Sequence, residues 1–231
     1  MRGVAKALSI LDRPVYGVSE AAGLLGLRSD RARAWLDGYE RSGVRYPPVI
    51  REEPTGDDIV TWGEFVELGY LREYRRKGVP LQRLRPVIDE LRREFGTPYP
   101  LATARPYVYG KDLVLEVQER HDLPTPIAIV VRSGQQVLLA DAAKQFFRKV
   151  EFDPSEEAAR RIRPAGPASP VVIDPLVRFG RPSVAGVSTE RLWELSDAGE
   201  TIEEIAAGYD LSKDDVRAAV AYEEQFRSLA A

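Results

Sequence analysis

Two segments with helix-turn-helix spacing, one near each end of the 231-residue chain, constrain its fold most strongly. In residues 16–39, Ser19 and Ser29 are suitable N-caps for two short helices that are separated by a glycine-containing turn. In residues 189–226, apolar residues recur at helical spacing in three segments, 189–198, 202–207 and 213–226. Both ends of the chain are therefore predicted to fold as small helical units.

The segment after the first helix pair predicts a winged domain. Residues 46–62, YPPVIREEPTGDDIVTW, indicate a strand, a Pro-Thr-Gly turn and a second short strand, which together would make a β-wing. Two amphipathic helices follow, separated at Gly78-Val79-Pro80. Residues 1–97 are thus predicted to be a winged helix-turn-helix domain, and an αα-hairpin that serves only as core is the alternative for the helix pair.

The order of these elements resembles the MerR-type winged helix-turn-helix. The stretches that carry the resemblance are SEAAGLLGL, SDRARAWLDGY, DDIVTWGEFVEL and LREYRRKGVPLQRLRPVID. In that family the second helix lies in the major groove and the wing contacts phosphates, which suits arginine in both places. The resemblance implies DNA contacts for Arg28, Ser29, Arg31 and Arg33, and for Arg45 and Arg51 beside the wing. The chain departs from the family near Phe95-Gly96, where its helix stops before a long coiled coil could form.

Residues 98–170 predict a small α+β segment. The runs LVLEV, PIAIVV and QQVLLA indicate strands, with a hairpin centred on residues 132–135, and KVEFD indicates another strand. The stretches ADAAKQFFRK and PSEEAARRI indicate helices, and the Pro- and Ala-rich residues 163–170 indicate a linker. The predicted fold class is α+β, with an N-terminal winged helix-turn-helix, this central segment and a three-helix, helix-turn-helix-like module at 171–231.

Charge is distributed unevenly along the chain, although the net charge is only −3. Residues 1–97 hold 17 Lys and Arg against 15 Asp and Glu, residues 98–170 hold 10 against 9, and residues 171–231 hold 6 against 12. A polyanion is therefore expected to bind the N-terminal part. The third tail helix begins Ser212-Lys213-Asp214-Asp215, which suits the helix dipole but repels phosphate, so the tail is predicted to contact protein.

A second resemblance covers the last sixty residues. The stretch VVIDPLVRFGRPSVAG at 171–186 combines β-branched residues, Asp-Pro and two glycines, and its glycine spacing does not fit a phosphate-binding P-loop. Together with AGETIEEIAAGYDLS and the helix after it, this stretch resembles the bacterial family catalogued as domain of unknown function 433, commonly described as antitoxins of the VapB kind. The chain departs from the short members at Gly186-Val187-Ser188-Thr189, where they read G-T-R-I.

The antitoxin resemblance implies partners and contact residues. It implies a type II toxin-antitoxin operon whose toxin is a PIN-like ribonuclease, with clustered carboxylates that bind Mg²⁺ or Mn²⁺. Arg178 and Arg181 are then candidates for contacts with that acidic cluster, and Phe179 for an apolar anchor. The alternative is that the two arginines neutralise the acidic tail itself. Autorepression through the winged domain implies operator DNA, read by a homodimer or a toxin–antitoxin hetero-oligomer.

Composition excludes several other classes of protein. The chain has no cysteine and one histidine, His121, so it lacks the usual metal ligands and nucleophile–base pairs, and we expect no metal, no cofactor and no enzyme activity. No apolar run is long enough to span a bilayer or to act as a signal peptide, so we expect a cytoplasmic protein. A one-component MerR-like regulator, whose central segment senses a small molecule, is the alternative function.

Overall fold

A computed structural model describes residues 9–103, 130–132, 136–138 and 145–230. Two hydrophobic cores lie among these residues, one mainly in the N-terminal part and one in the tail. The N-terminal elements are β1 (Pro14–Gly17), α1 (Val18–Leu24), α2 (Ser29–Asp37), β2 (Tyr39–Arg41), β3 (Val44–Tyr46), β4 (Ile59–Thr61), α3 (Trp62–Arg76) and α4 (Leu81–Phe95). The elements that follow are β5 (Val130–Arg132), β6 (Gln136–Leu138), β7 (Val150–Asp153), β8 (Ala158–Ile162), β9 (Ser183–Val184), β10 (Val187–Ser188), α5 (Thr189–Asp197), α6 (Ile202–Tyr209) and α7 (Lys213–Ala230).

The first core is built around α3, which is buried along most of its length. The helix begins at a capping box, in which the Thr61 hydroxyl accepts from the Glu64 N–H and the Glu64 carboxylate accepts from the Thr61 N–H. Trp62, Phe65 and Leu68 are fully buried, and burial of each such side chain stabilises the fold by about 1.5–3 kcal/mol. The chain breaks at residues 78–80 before α4, as the sequence predicted.

The wing differs from the prediction in position and pairing. It is the hairpin β2–β3, in which Tyr39 pairs with Tyr46 and Arg41 with Val44 around a two-residue turn. Ser42 and Gly43 have φ values of 53° and 75°, as a type I′ turn requires. Residues 46–62 therefore do not form a hairpin, because their second strand, β4, pairs instead with β1.

The predicted N-caps of the first two helices are also wrong. Gly17 precedes α1 and Arg28 precedes α2, and neither helix has a side-chain cap. The first N–H of α1 is satisfied by the backbone, because Val18 N donates to the Asp58 carbonyl at 3.0 Å. Ser29 is instead the first residue of α2.

The described part of the central segment differs from the prediction in one stretch, which is a strand and not a helix. The hairpin of β5 and β6 agrees with the prediction, since Arg132 pairs with Gln136. The stretch PSEEAARRI, predicted to be helical, contains the strand β8, which pairs antiparallel with β7 and buries Ala158 and Ala159. Trp62 Nε1 donates to the Ala159 carbonyl at 2.7 Å, so β8 is held against α3. The predicted LVLEV strand lies outside the described residues, as does the first half of ADAAKQFFRK.

The stretch at 171–186 connects the two cores. Ile162 and Ile173 exchange backbone hydrogen bonds of 2.9 and 2.8 Å, and Ile173 is buried in the first core. Val171 and Val184 are buried in the second core. The residues that follow the predicted linker, 163–170, therefore pack against both cores.

The tail forms the three predicted helices. Its helices bury residues such as Leu192, Ile205 and Val216 against Val171 and Val184, and α7 extends to Ala230, beyond the predicted end at 226. The capping box of Thr201 and Glu204 is present at α6, and the Ser212 hydroxyl accepts from the Asp215 N–H at 3.0 Å at the start of α7. These caps explain why the helix starts were predictable from local sequence.

Candidate nucleic-acid and protein interfaces

Arg28 and Arg31 lie at the exposed N-terminal turn of α2. Arg28 donates two hydrogen bonds to the Asp30 carboxylate, at 3.0 and 2.9 Å, so part of its charge is neutralised. Both side chains of this pair are well exposed, and Asp30 can be displaced from Arg28 by a stronger anion. Arg31 is exposed and makes no ion pair within the described part of the chain, which leaves it available to a phosphate or a base edge.

Arg33 lies apart from Arg31 on α2, two residues further along the helix. Its guanidinium pairs with Asp58, at 2.5 Å, in the loop before β4. Ser29 is exposed and makes no cap, so its hydroxyl is accessible. The predicted contact residues of α2 are thus all at the surface, but two of the three arginines are already paired with carboxylates.

Arg51 does not belong to this surface, which corrects the prediction. Its side chain is only 7% exposed, and it pairs with Asp37 at 2.8 Å and with Glu64 at 2.7 Å. It also donates to the Ile59 carbonyl at 2.6 Å. Although burial acts to lower the pKa of Arg51, the hydrogen bonds and charges of Glu64 and Asp37 raise it above its usual value. Arg51 therefore joins α2, β4 and α3 from inside, where DNA cannot reach it.

The wing carries one predicted basic residue and one that was missed. Arg45 is exposed on β3 and faces Glu40 across the hairpin, and Arg41 is exposed beside the turn. Tyr39 and Tyr46 stack at 4.6 Å between ring centres and stiffen the base of the hairpin. The Ser42-Gly43 dipeptide was the signal that could have placed the wing here and identified Arg41.

An exposed tip is formed by Leu176, Arg178 and Phe179, in the loop between residues 174 and 181. Phe179 is 80% exposed and Leu176 is 51% exposed, which is unusual for large apolar side chains in an otherwise folded segment. Arg178 is exposed between them and makes no ion pair within the described part of the chain. The tip therefore presents an aromatic ring, an aliphatic side chain and a cation together.

The backbone of the tip is strained and is braced from below. Arg178 and Phe179 both have positive φ, 51° and 56°, and each such residue costs about 1–2 kcal/mol. The next residue, Gly180, has φ 79° and is buried, and Tyr16 Oη donates to its carbonyl at 2.5 Å. A Cβ at position 180 would lie 2.5 Å from Tyr16 Oη, so only glycine fits.

The other end of the loop is fixed through Asp174. Its buried carboxylate pairs with Arg160 and accepts from the Leu176 N–H at 2.8 Å. The first core therefore holds the tip on both sides, at Asp174 and at Gly180. This arrangement keeps Phe179 in solvent instead of allowing it to fold back on the protein.

Arg181 lies outside the tip and is oriented toward the N-terminal domain. Its Nε is 3.3 Å from Glu20 on α1, and both side chains are partly exposed. Within the described residues neither Arg178 nor Arg181 pairs with the acidic tail, so the alternative that they neutralise it finds no support in these contacts. Arg181 is therefore a weaker candidate than Arg178 for contact with a partner protein, because its guanidinium already pairs with Glu20.

The tail presents acidic groups outward around a compact core. Glu203, Glu204, Asp214 and Glu224 are exposed on α6 and α7. Among the tail helices, Glu223 is a buried carboxyl: it accepts from the Thr189 hydroxyl at 2.6 Å, and burial raises its pKa above the usual range. Arg227 lies 3.8 Å above the Trp193 ring and ties the end of α7 to α5.

Clusters of metal-ligand residues and membrane-spanning helices are absent from the part of the chain that the structure describes. No group of three or more His, Asp or Glu there is arranged to hold a metal ion, and His121 lies outside those residues. None of the helices there has the length and apolar character that a bilayer crossing needs.

Two family models match this chain, one at each end. The first is described as "Putative DNA-binding HTH domain" and matches residues 14–88. The second is described as "Protein of unknown function (DUF433)" and matches residues 171–222. These matches confirm a helix-turn-helix unit at the N-terminus and the family resemblance of the tail.

Similar proteins are found in Mycobacterium tuberculosis. "Uncharacterized protein Rv2308" is 37% identical over 237 residues, covering 98% of this chain and 97% of that protein. "Putative antitoxin VapB45" is 30% identical over 226 residues, covering 90% of this chain and 93% of that protein. The crystal structure of Rv2018 superimposes with a TM-score of 0.69 at 27% identity, over 92% of this chain and 100% of that one. The similarity therefore extends across the whole architecture.

Proposed function

We propose that this chain is the antitoxin of a type II toxin-antitoxin system. The chain belongs to the same family as Rv2308 and VapB45 of M. tuberculosis. In this proposal the tip neutralises a PIN-like ribonuclease toxin by direct binding, and the winged helix-turn-helix represses the operon. The observation that carries the proposal is the braced tip, which keeps Phe179 80% exposed on strained backbone.

The tip has the chemistry that a ribonuclease of the proposed class would bind. A PIN-like active site gathers carboxylates around a divalent metal, so an inserted guanidinium can pair with those carboxylates in the metal's place. Arg178 is the cation at the tip that no carboxylate of the described residues satisfies, and Phe179 and Leu176 supply apolar contact on either side. Aromatic and arginine anchors of this kind dominate the energy of protein interfaces.

The DNA-binding half of the proposal is supported by the charge of the winged domain. Arg31 on α2 and Arg41 and Arg45 on the wing are exposed, and hairpin and helix are the two elements that a winged helix-turn-helix applies to DNA. We expect two copies of the domain to bind two half-sites, either as a homodimer or through the toxin. The operator would lie upstream of the gene for this chain.

Co-expression with the neighbouring reading frame tests the toxin half of the proposal. We expect the neighbour to be a PIN-like protein, to co-purify with this chain and to regain ribonuclease activity when this chain is removed. The double variant Arg178→Ala, Phe179→Ala should weaken the complex at least about tenfold, since each residue is expected to act as an anchor. The matched control is Arg217→Ala, which removes an exposed tail arginine that pairs with Asp214 at 2.8 Å. Equal affinity of the tip variant and the control would place the toxin contact elsewhere.

A further inference from the structure

A large basic cleft lies between the helix-turn-helix, the end of α3 and the last turns of α7. Its volume is about 1050 Å³, at the upper end of the range of small-molecule sites. Among the described residues that line it are six cations and one carboxylate, that of Glu73. The six cations, which define the basic cleft, are Arg28, Arg31, Arg72, Arg75, Arg76 and Lys149.

The positive charge of the basic cleft is only partly neutralised. Glu73 lies 3.3 Å from Arg72 and 3.9 Å from Arg76, so one carboxylate serves two guanidiniums. Lys149 Nζ and Arg75 donate to backbone carbonyls, of Pro164 at 2.6 Å and Val79 at 2.7 Å, which do not cancel their charge. The cleft therefore concentrates cations that an anion could satisfy.

The cations of the basic cleft also destabilise the charged forms of one another. Burial lowers the pKa of Lys149, and the charges of Arg72 and Arg76 lower it further. Burial likewise lowers the pKa of Arg72, and Arg76 adds to this effect. Glu73 raises the pKa of both groups but does not cancel these effects, and a bound anion would supply further negative charge.

Aromatic side chains form the apolar part of the same cleft. Trp35 and Phe146 line it from the first core, and Phe226 lines it from α7, where it stacks with Tyr222 at 6.3 Å between ring centres. Tyr39, which is 42% exposed, also lines it. Trp35 and Phe146 are only 3% and 5% exposed, so the rings that a ligand can reach are those of Tyr39 and the partly buried Phe226. Accessible aromatic rings beside a cluster of guanidiniums suit a ligand that has an aromatic ring and several negative charges.

We propose that the basic cleft binds a nucleoside polyphosphate, with its phosphates on the arginines of α2 and α3 and its base against the aromatic side chains. Bidentate arginines match phosphate oxygens, and the volume accommodates a ligand of this size. The site goes beyond antitoxin activity and gives the alternative function, a ligand-sensing regulator, a physical location. Because Arg31 lines the cleft and is also a candidate DNA contact, we expect the ligand to compete with DNA, a consequence that rests on the proposed function.

Titration calorimetry with ATP, pyrophosphate and adenosine tests the site on the full chain. We expect ATP to bind with a stoichiometry of one, pyrophosphate to bind more weakly and adenosine more weakly still. The variants Arg31→Ala and Arg76→Ala should each weaken ATP binding about tenfold or more, because a charge-assisted hydrogen bond is lost while the exposed position tolerates alanine. Arg217→Ala, outside the cleft, should bind ATP like the natural protein.

Titration with duplex DNA of random sequence distinguishes a site for a small ligand from a surface that binds the DNA backbone. Two results support the proposal. Pyrophosphate displaces bound ATP stoichiometrically, and Arg76→Ala weakens ATP binding when no DNA is present. The proposal would be overturned if ATP did not bind at low salt, or if the cleft variants bound ATP as well as the control. It would also be overturned if Arg76→Ala weakened the binding of duplex DNA but not that of ATP. ATP is titrated without DNA or toxin, so failure of the proposed antitoxin activity would leave this result unchanged.

Discussion

The N-terminal helix-turn-helix and the three-helix tail have similar helix spacing but differ in the charge of an exposed helix start. In the N-terminal unit, Arg28 precedes α2 and Arg31 lies in its first turn, beside Asp30, and a wing that exposes Arg41 and Arg45 follows. In the tail, α7 opens with Asp214 and Asp215. A phosphate backbone is attracted to the first arrangement and repelled by the second. Helix-turn-helix spacing therefore describes a way of packing short helices, and the charge on the exposed turn decides what the unit can bind.

The two units also treat their carboxylates differently. The N-terminal unit buries Glu64 and Glu67 in its core, where Arg51 pairs with the first and Arg92 lies 3.9 Å from the second. The tail leaves Glu203 and Asp214 at the surface. The tail also buries Asp174 and Glu223, but their arginine partners remain partly exposed. The two units therefore differ in whether the partner of a buried carboxylate is itself buried, and in the N-terminal unit the burial of Arg51 and Arg92 offsets that of the two glutamates in the exposed charge.

The largest expected effect concerns Arg51, which distinguishes buried from exposed arginine in the N-terminal unit. Arg51→Met should lower the free energy of unfolding by about 3–5 kcal/mol, since it leaves Asp37 and Glu64 without their buried partner. The control Arg45→Met removes an exposed wing arginine and should change stability by less than about 0.5 kcal/mol. Urea unfolding measures both. Similar values for the two variants would mean that Arg51 is not a structural residue.

The next effect compares the buried glutamates of the two units. Burial raises the pKa of Glu67 to about 8, against the opposing effects of Arg92 and the Leu101 N–H, and burial also raises the pKa of Glu223. A raised folded-state pKa means that the contribution to stability is present at acidic pH and is lost as the pH rises through the folded-state value. Glu67→Gln should therefore gain stability over the natural protein as pH rises from about 4.5 to about 8, by on the order of 4 kcal/mol.

Thermal or urea unfolding across this pH window measures the difference between each variant and the natural protein. Glu223→Gln is the matched variant in the tail and should show a smaller gain, because Glu223 also accepts from Thr189 and lies near Arg227. A difference for Glu67→Gln that stays flat with pH, or falls as pH rises, would contradict the assignment.

A smaller effect tests whether the tip is braced by the N-terminal core. Gly180→Ala should cost about 2–3 kcal/mol, because its Cβ would approach Tyr16 Oη and Val15 while φ is positive. Gly186→Ala has a similar φ of 81° with open space around it, and should cost only about 1 kcal/mol. Urea unfolding of both variants isolates the contact from the backbone strain. Equal losses would show that the tip and the N-terminal core are not coupled.

The parts of the fold that depend on local sequence could be predicted. The tail helices begin at capping residues such as Thr201 and Ser212, and their starts agree with the structure. The break before α4 is likewise set by glycine and proline. The helix-turn-helix unit and the family of the tail are confirmed by the family matches, whereas the MerR-type assignment stays a prediction.

The parts that depend on distant contacts could not be predicted. PSEEAARRI has helical composition, but β8 forms because Ala158 and Ala159 are buried and Ile162 pairs with Val150. Arg51 looked like a surface cation, since no local pattern shows that Asp37 and Glu64 surround it. The exposure of Phe179 depends on Tyr16, which is 164 residues away in sequence from its partner Gly180.

The most direct test of the division between the two units measures DNA and toxin binding on the same proteins. A mobility shift with the upstream DNA at several salt concentrations and a pull-down of the co-expressed neighbour are applied to Arg31→Ala/Arg45→Ala and to Arg178→Ala/Phe179→Ala. We predict that the first variant loses about tenfold or more in DNA affinity and has a shallower salt dependence, with toxin binding intact. The second should show the reverse. Loss of both activities in either correctly folded variant, or loss of neither, would contradict the assignment of DNA to the basic unit and of the toxin to the tip.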